Sequence, residues 1–208
     1  QMEIDTEGYQ DTTHTSLYVK LPLLDAEHES LLVWTTTPWT LPGNVAVAVA
    51  PAVTYVKAVV GNEILILAEP LVERVLGEDV EIAERLSGEE LVGRHYAGPV
   101  FELEEAPAKA FTVVAGEFVT TEDGTGLVHI APAFGEDDFR VAAENGIFDP
   151  TIAGTLYNPV GLDGRFDRRV SGFEGELVKD PEVTRRLIDD LDRRGRLFRE
   201  QVYEHAYP

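Results

Sequence analysis

The chain has no cysteine. That excludes a disulfide framework, a thiolate nucleophile and a cysteine-based zinc site. Its five histidines, His14, His28, His95, His129 and His205, show no zinc-ligand spacing, so the chemistry is expected to need no metal and no cofactor. No apolar run approaches the roughly eighteen residues of a membrane span, and Gln1 to Asp11 is polar and acidic, unlike a signal or transit peptide. An aqueous, cytoplasmic setting without a membrane partner is expected. Cations are scarce as well: 17 Lys and Arg against 38 Asp and Glu give a net charge of −21. A general nucleic-acid surface would instead reward clustered positive charge. Ten of the 17 basic residues lie between Arg165 and Arg199 beside eight acids, so any polyanion should meet the C-terminal part.

What is present is enough for one globular domain. With 208 residues and 44% hydrophobic content, a full core is expected over 1–208 as a single unit, with 1–10 irregular and 165–199 forming a loop plus a terminal helix. Strand-like runs occur at Ser16–Leu23, Ser30–Thr37, Asn44–Ala50, Val56–Val60 and Glu63–Leu67, the last two flanking the hairpin signal Gly61-Asn62. The first third therefore reads as antiparallel sheet. Pro70 to Leu76 reads as a helix ended by Gly77. Further strands are expected at Ala110–Val114, Glu117–Thr120 and Gly126–Ile130, and helices at Glu136–Asn145 and Pro181–Arg194, the latter capped by Asp180. The fold class is α/β and strand-dominated.

Two segments break this apolar patterning, Trp34-Thr-Thr-Thr-Pro-Trp-Thr-Leu-Pro-Gly-Asn44 and Gly124-Thr-Gly-Leu-Val-His-Ile-Ala-Pro-Ala-Phe-Gly-Glu-Asp-Asp138. Threonines at a strand end are ordinary β-formers, but Pro38 and Pro42 restrict the backbone so that Thr35, Thr36, Thr37 and Thr40 cluster near one rigid turn. Their hydroxyls, with the Asn44 amide, suit a small polar ligand. Alone, His129 reads as a structural strand-end residue and Asp138 as a helix first-turn acid. Only a short link separates them, which places imidazole and carboxylate in one concavity. A carboxylate beside hydroxyls suits an ammonium group, and no serine stands in a nucleophile-elbow context.

These segments resemble the two signature peptides of the editing domain of isoleucyl-tRNA synthetases, which are class I enzymes. The resemblance extends from about Gln10 to Pro208. Related valine and leucine enzymes carry an arginine where Thr37 stands and differ again at Trp39 and Thr40. The resemblance implies a β-barrel-like editing fold, separated from the catalytic domain whose nucleotide-binding signatures are absent here. It implies hydrolysis of valine misattached to the 3′ end of isoleucine tRNA, and of valyl-adenylate as a further substrate. Asp138 would hold the α-ammonium, and Thr35, Thr36 and Thr37 would line the amino-acid pocket and help place water. His129 would contact the substrate and limit its size, with Trp34 and Asn44 shaping the pocket. The partners implied are that tRNA end and the remainder of the synthetase, with Arg185, Arg186, Arg193 and Arg194 as candidate phosphate contacts. The alternatives are an editing domain for another aliphatic amino acid, and a non-catalytic tRNA-binding or interdomain module.

Overall fold

The structure, a computed structural model, describes residues 11–98 and 106–206; the irregular segment expected over 1–10 lies outside them. Two sheets organise these residues. The larger contains β6 (Glu81–Ser87), β4 (Thr54–Val60), β5 (Glu63–Ala68), β2 (Glu29–Thr35), β1 (Asp11–Pro22) and β9 (Leu197–Ala206), in that order. The smaller contains β7 (Thr112–Ala115), β3 (Ala46–Val49) and β8 (Leu127–Ile130). Four short or medium helices accompany them: α1 (Val72–Leu76), α2 (Gly88–Leu91), α3 (Glu136–Glu144) and α4 (Pro181–Arg193).

Local chemistry accounts for several boundaries. Gly61 adopts φ +61° in the β4–β5 hairpin, which only a residue without a Cβ adopts freely. Ser87 and Glu90 start α2 with a reciprocal capping box. The Asp180 side chain accepts from the Glu182 N–H to start α4. Val183, Leu187 and Leu191 lie on one face of α4 and are buried in the main core, each worth about 1.5–3 kcal/mol by removal from water.

The smaller sheet is packed on both faces. Val47 and Val49 join the main core, whereas Ala46 and Ala48 join a second core with Val114, Ile130 and Val141. Period-two alternation thus serves two cores rather than one core and solvent.

Three expectations need correction. The first third is not wholly antiparallel, because β2 pairs β5 in parallel, with Glu29 opposite Ile64. Prolines are the reason: a 3₁₀ helix over Pro38–Gly43 interrupts the chain, and β3 pairs with β7 and β8 instead of with β2. The same detour leaves two open sheets among the described residues, not one closed barrel. Finally, Glu117–Thr120 is no strand, since the Val119 N–H turns back to the Gly116 carbonyl at 3.2 Å. Strands β6 and β9 carry no clear alternation and were not marked by the sequence pattern.

Candidate active site

The threonine segment leaves β2 at Thr35 and turns immediately. The Thr37 N–H donates to Thr35 Oγ1 at 3.1 Å, and the Thr40 hydroxyl donates to the Thr37 carbonyl at 2.8 Å. This leaves Thr36 and Thr37 exposed while Thr35 and Thr40 are buried. Gly43 ends the turn under Phe134, whose ring would lie 2.7 Å from a Cβ at that position. Phe134 in turn stands edge-on to Trp39, with centroids 4.9 Å apart.

The second segment is fastened to the larger sheet before it enters β8. The Tyr55 hydroxyl donates to the Gly126 carbonyl at 2.6 Å, and the Ala68 N–H donates to the Thr125 carbonyl at 2.8 Å. Gly126 has φ +81°, and a Cβ there would sit 2.4 Å from that of Ala68. Strand β8 then delivers His129, and the first turn of α3 delivers Asp138, whose Oδ2 accepts the Ala131 N–H at 2.8 Å.

Both segments line one cavity of about 400 Å³, a size suited to a small ligand. Trp34, Thr35, Thr36, Thr37 and Thr40 line it from the first segment, and His129 and Asp138 from the second. Asn44 does not line it; it lies behind His129 and donates to its Nδ1 at 2.8 Å. The sequence reading missed Phe118, Thr120, Thr125, Phe134 and a second acid, Asp123, which pairs with Arg74 at 3.5 Å, in the lining. Thr125 and Phe134 stood inside the quoted segment, whereas Phe118 and Thr120 carried no pattern of their own.

Charge in the cavity is unevenly placed. Burial depresses the His129 imidazole to about 4, so it is neutral at pH 7. Both ring nitrogens are occupied, Nδ1 by Asn44 and Nε2 by the Thr40 hydroxyl at 2.9 Å. Burial pushes the Asp138 carboxyl above its usual range, against the downward pull of hydrogen bonds from Ala131 and its own backbone, with Asp137 adding to the rise. Set among neutral hydroxyls and a neutral ring, the acidic side chain of Asp138 suits this cavity to a cationic group. No group of three or more His, Cys, Asp or Glu able to hold a metal occurs among the described residues.

The four candidate phosphate contacts on α4 and at its C-cap are already partnered. Arg185 makes a two-pronged pair with Glu200 at 2.8 and 3.0 Å and also meets Asp189. Arg186 pairs with Glu176 at 3.1 Å, and Arg193 and Arg194 share Asp190. A phosphate would have to exchange with these acids.

No protein-family model matches the chain. The isoleucine–tRNA ligase of Streptomyces avermitilis is 48% identical over 206 residues, which is 97% of this chain and 19% of that protein. The enzyme of the same name from Thermobifida fusca is 46% identical over 206 residues, 97% of this chain and 18% of its own length. The chain thus spans about a fifth of the length of the curated relatives it matches. The crystal structure of GlLeuRS-CP1 aligns with a TM-score of 0.66 at 17% identity, over 89% of this chain and 98% of that one. At that identity the likeness is one of fold.

Proposed function

The chain belongs to the isoleucine–tRNA ligase family, as the counterpart of one segment bearing the CP1 fold, and on that premise we propose that its cavity hydrolyses valine esterified to the 3′ end of isoleucine tRNA. The observation that carries the reading is the meeting of both unusual segments in one cavity, whose lining combines the Asp138 carboxyl, threonine hydroxyls and an uncharged imidazole.

In this reading Asp138 binds the α-ammonium of the aminoacyl group. Thr36 and Thr37, exposed at the mouth, orient the ester carbonyl and an attacking water. Water adds to the carbonyl carbon, the ester C–O bond breaks, and the terminal ribose oxygen leaves carrying a proton while valine departs as the free acid. The ester is already activated, so orientation and electrostatic preorganisation suffice without a covalent enzyme intermediate. His129 and Trp34 bound the space available to the side chain. A second, hydrolytic filter is useful because one methylene yields only ~1–3 kcal/mol of discrimination. Isoleucine against valine is the standard illustration of that limit. Valyl-adenylate carries the same ammonium and acyl carbon and fits the same roles. The remainder of the synthetase supplies most of the hold on the tRNA, since the cations of α4 are ion-paired.

Deacylation of valyl-tRNA tests the proposal directly, with isoleucyl-, leucyl- and norvalyl-tRNA alongside. Release of valine with isoleucine spared is the expected outcome. Preference for another aliphatic ester would reassign the substrate, and no hydrolysis with RNA binding retained would make the chain a non-catalytic tRNA module.

A further inference from the structure

Behind the cavity wall runs a buried polar chain that begins outside both segments. Tyr96, 1% exposed, donates its phenolic hydrogen to Asn44 Oδ1 at 2.6 Å. Asn44 Nδ2 donates to the Ala46 carbonyl at 3.0 Å and to His129 Nδ1 at 2.8 Å. A carbonyl can only accept, so Ala46 fixes which end of the amide is nitrogen. His129 Nδ1 must then be an acceptor, and its proton resides on Nε2. The opposite end agrees: the Thr40 hydroxyl hydrogen goes to the Thr37 carbonyl, so its oxygen accepts from Nε2. Two separate carbonyls impose one tautomer.

The support for Tyr96 is itself unusual. Phe111 has φ +66°, a region that bulky L residues rarely occupy unless the surroundings impose it. Its N–H donates to the Val45 carbonyl at 2.6 Å, its carbonyl accepts the Tyr96 N–H at 3.1 Å, and its ring stands edge-on to that of Tyr96. The strained residue therefore ties Tyr96 to the residue following Asn44. Burial also raises the Tyr96 phenol well above its ordinary value, keeping it a donor at all working pH.

We infer that Tyr96, acting through Asn44, is a positioning residue that holds His129 as the neutral Nε2–H tautomer facing the cavity. The role in hydrolysis rests on the reading of the cavity as an ester hydrolase site. An uncharged ring is the wall that site needs. An imidazolium would repel the ammonium held by Asp138 and would be a poor neighbour for an aliphatic side chain. A proton on Nδ1 would clash with the Asn44 donor and leave Nε2 competing for the Thr40 hydroxyl hydrogen.

The test is long-range ¹H–¹⁵N spectroscopy of the ¹⁵N-histidine-labelled chain at pH 7, with deacylation kinetics in parallel. In the unaltered chain His129 should show a protonated Nε2 and an unprotonated Nδ1. Tyr96→Phe strips Asn44 Oδ1 of its donor and should broaden the His129 resonances and admit a second tautomer. It should also lower kcat on valyl ester by up to about ten-fold, the rate equivalent of one lost neutral hydrogen bond, with KM little changed. Asn44→Asp, whose carboxylate only accepts, should draw the proton to Nδ1, and it supplies the same readout if Tyr96→Phe does not fold. A His129 protonated on Nδ1 in the unaltered chain, or resonances and kcat unmoved in the folded variants, overturns the inference. An unaltered chain that cleaves no valyl ester yet shows these His129 responses overturns the hydrolase reading and sustains the relay.

Discussion

Asp138→Asn removes a charge from the cavity while keeping its shape, so it separates substrate recognition from folding. The amide oxygen can accept the Ala131 N–H that Oδ2 takes at 2.8 Å. Glu136 and Asp137 remain in the first turn of α3, so the helix loses at most ~0.3–1 kcal/mol of dipole interaction. Burial acts in the opposite sense: with its pKa raised in the folded chain, the carboxylate contributes stability only as it takes up a proton, fully below its unfolded pKa and lost as pH rises through the folded value. At neutral pH its ionisation is therefore a cost that Asn does not carry. The two effects oppose each other, and the urea-derived stability should change by no more than about 1 kcal/mol. Alanine would be a poorer probe, because it strands the buried Ala131 N–H at about 1–3 kcal/mol. Recognition should suffer far more. A charge-assisted hydrogen bond to the ammonium is worth ~1.5–3 kcal/mol, a loss of roughly ten- to a hundred-fold in kcat/KM for valyl ester. The unaltered chain should also lose kcat/KM as pH falls through the raised Asp138 pKa, and the Asn variant should lack that limb. Rates within a factor of about two of the unaltered chain, or retention of the acid limb, would remove Asp138 from ammonium binding.

Other outcomes follow from the same geometry. His129→Ala should admit isoleucyl ester to hydrolysis, since truncating the wall makes room for one more methylene; continued rejection of isoleucine with valine still cleaved would place the size limit elsewhere. Because the folded His129 titrates at about 4 and an unfolded histidine near 6.5, its contribution to stability is complete above the unfolded value and is lost as pH falls toward the folded one. The loss should approach roughly 3 kcal/mol, and a His129→Gln variant should show a flatter profile in pH-dependent urea melts. Gly126→Ala should destabilise the chain by about 2–5 kcal/mol, from positive φ and the collision with Ala68, whereas an unshifted melt would mean that the turn yields easily. Replacing Arg185, Arg186, Arg193 and Arg194 by Ala should weaken tRNA binding without slowing cleavage of a small ester; unchanged affinity would leave them as ion-pair partners of Glu200, Glu176, Asp189 and Asp190.

The sequence marked the cavity lining better than the sheet. Trp34, Thr35, Thr36, Thr37, Thr40, His129 and Asp138 meet in one cavity, and they were readable because proline, glycine and polar residues interrupted otherwise apolar strands. Helix ends were readable for a similar reason, since Asp180, Gly77 and Gly146 carry local backbone chemistry. Strand partnership was not, because the choice of β5 as parallel neighbour to β2 depends on packing between residues more than thirty positions apart. Asn44 was assigned to the cavity because its distance from the ligand space could not be seen, and Tyr96 was invisible because a tyrosine in an irregular stretch announces no partner. Strand β6 was hidden by its charge: Glu81, Glu84 and Arg85 are exposed on an edge, where alternation need not be apolar.

The burial of both faces of the small sheet divides the cavity into parts that can and cannot drift. Leu127 packs in the main core and Val128 against the second, so an altered volume at either is felt on one side of the strand that presents His129. Thr36, Thr37 and Thr120 sit at the exposed margin with little packed against them. Descendants of this sequence could sample new amino-acid preferences through those margin positions at small risk to the fold, while the wall itself would move only through paired, compensating replacements in two cores.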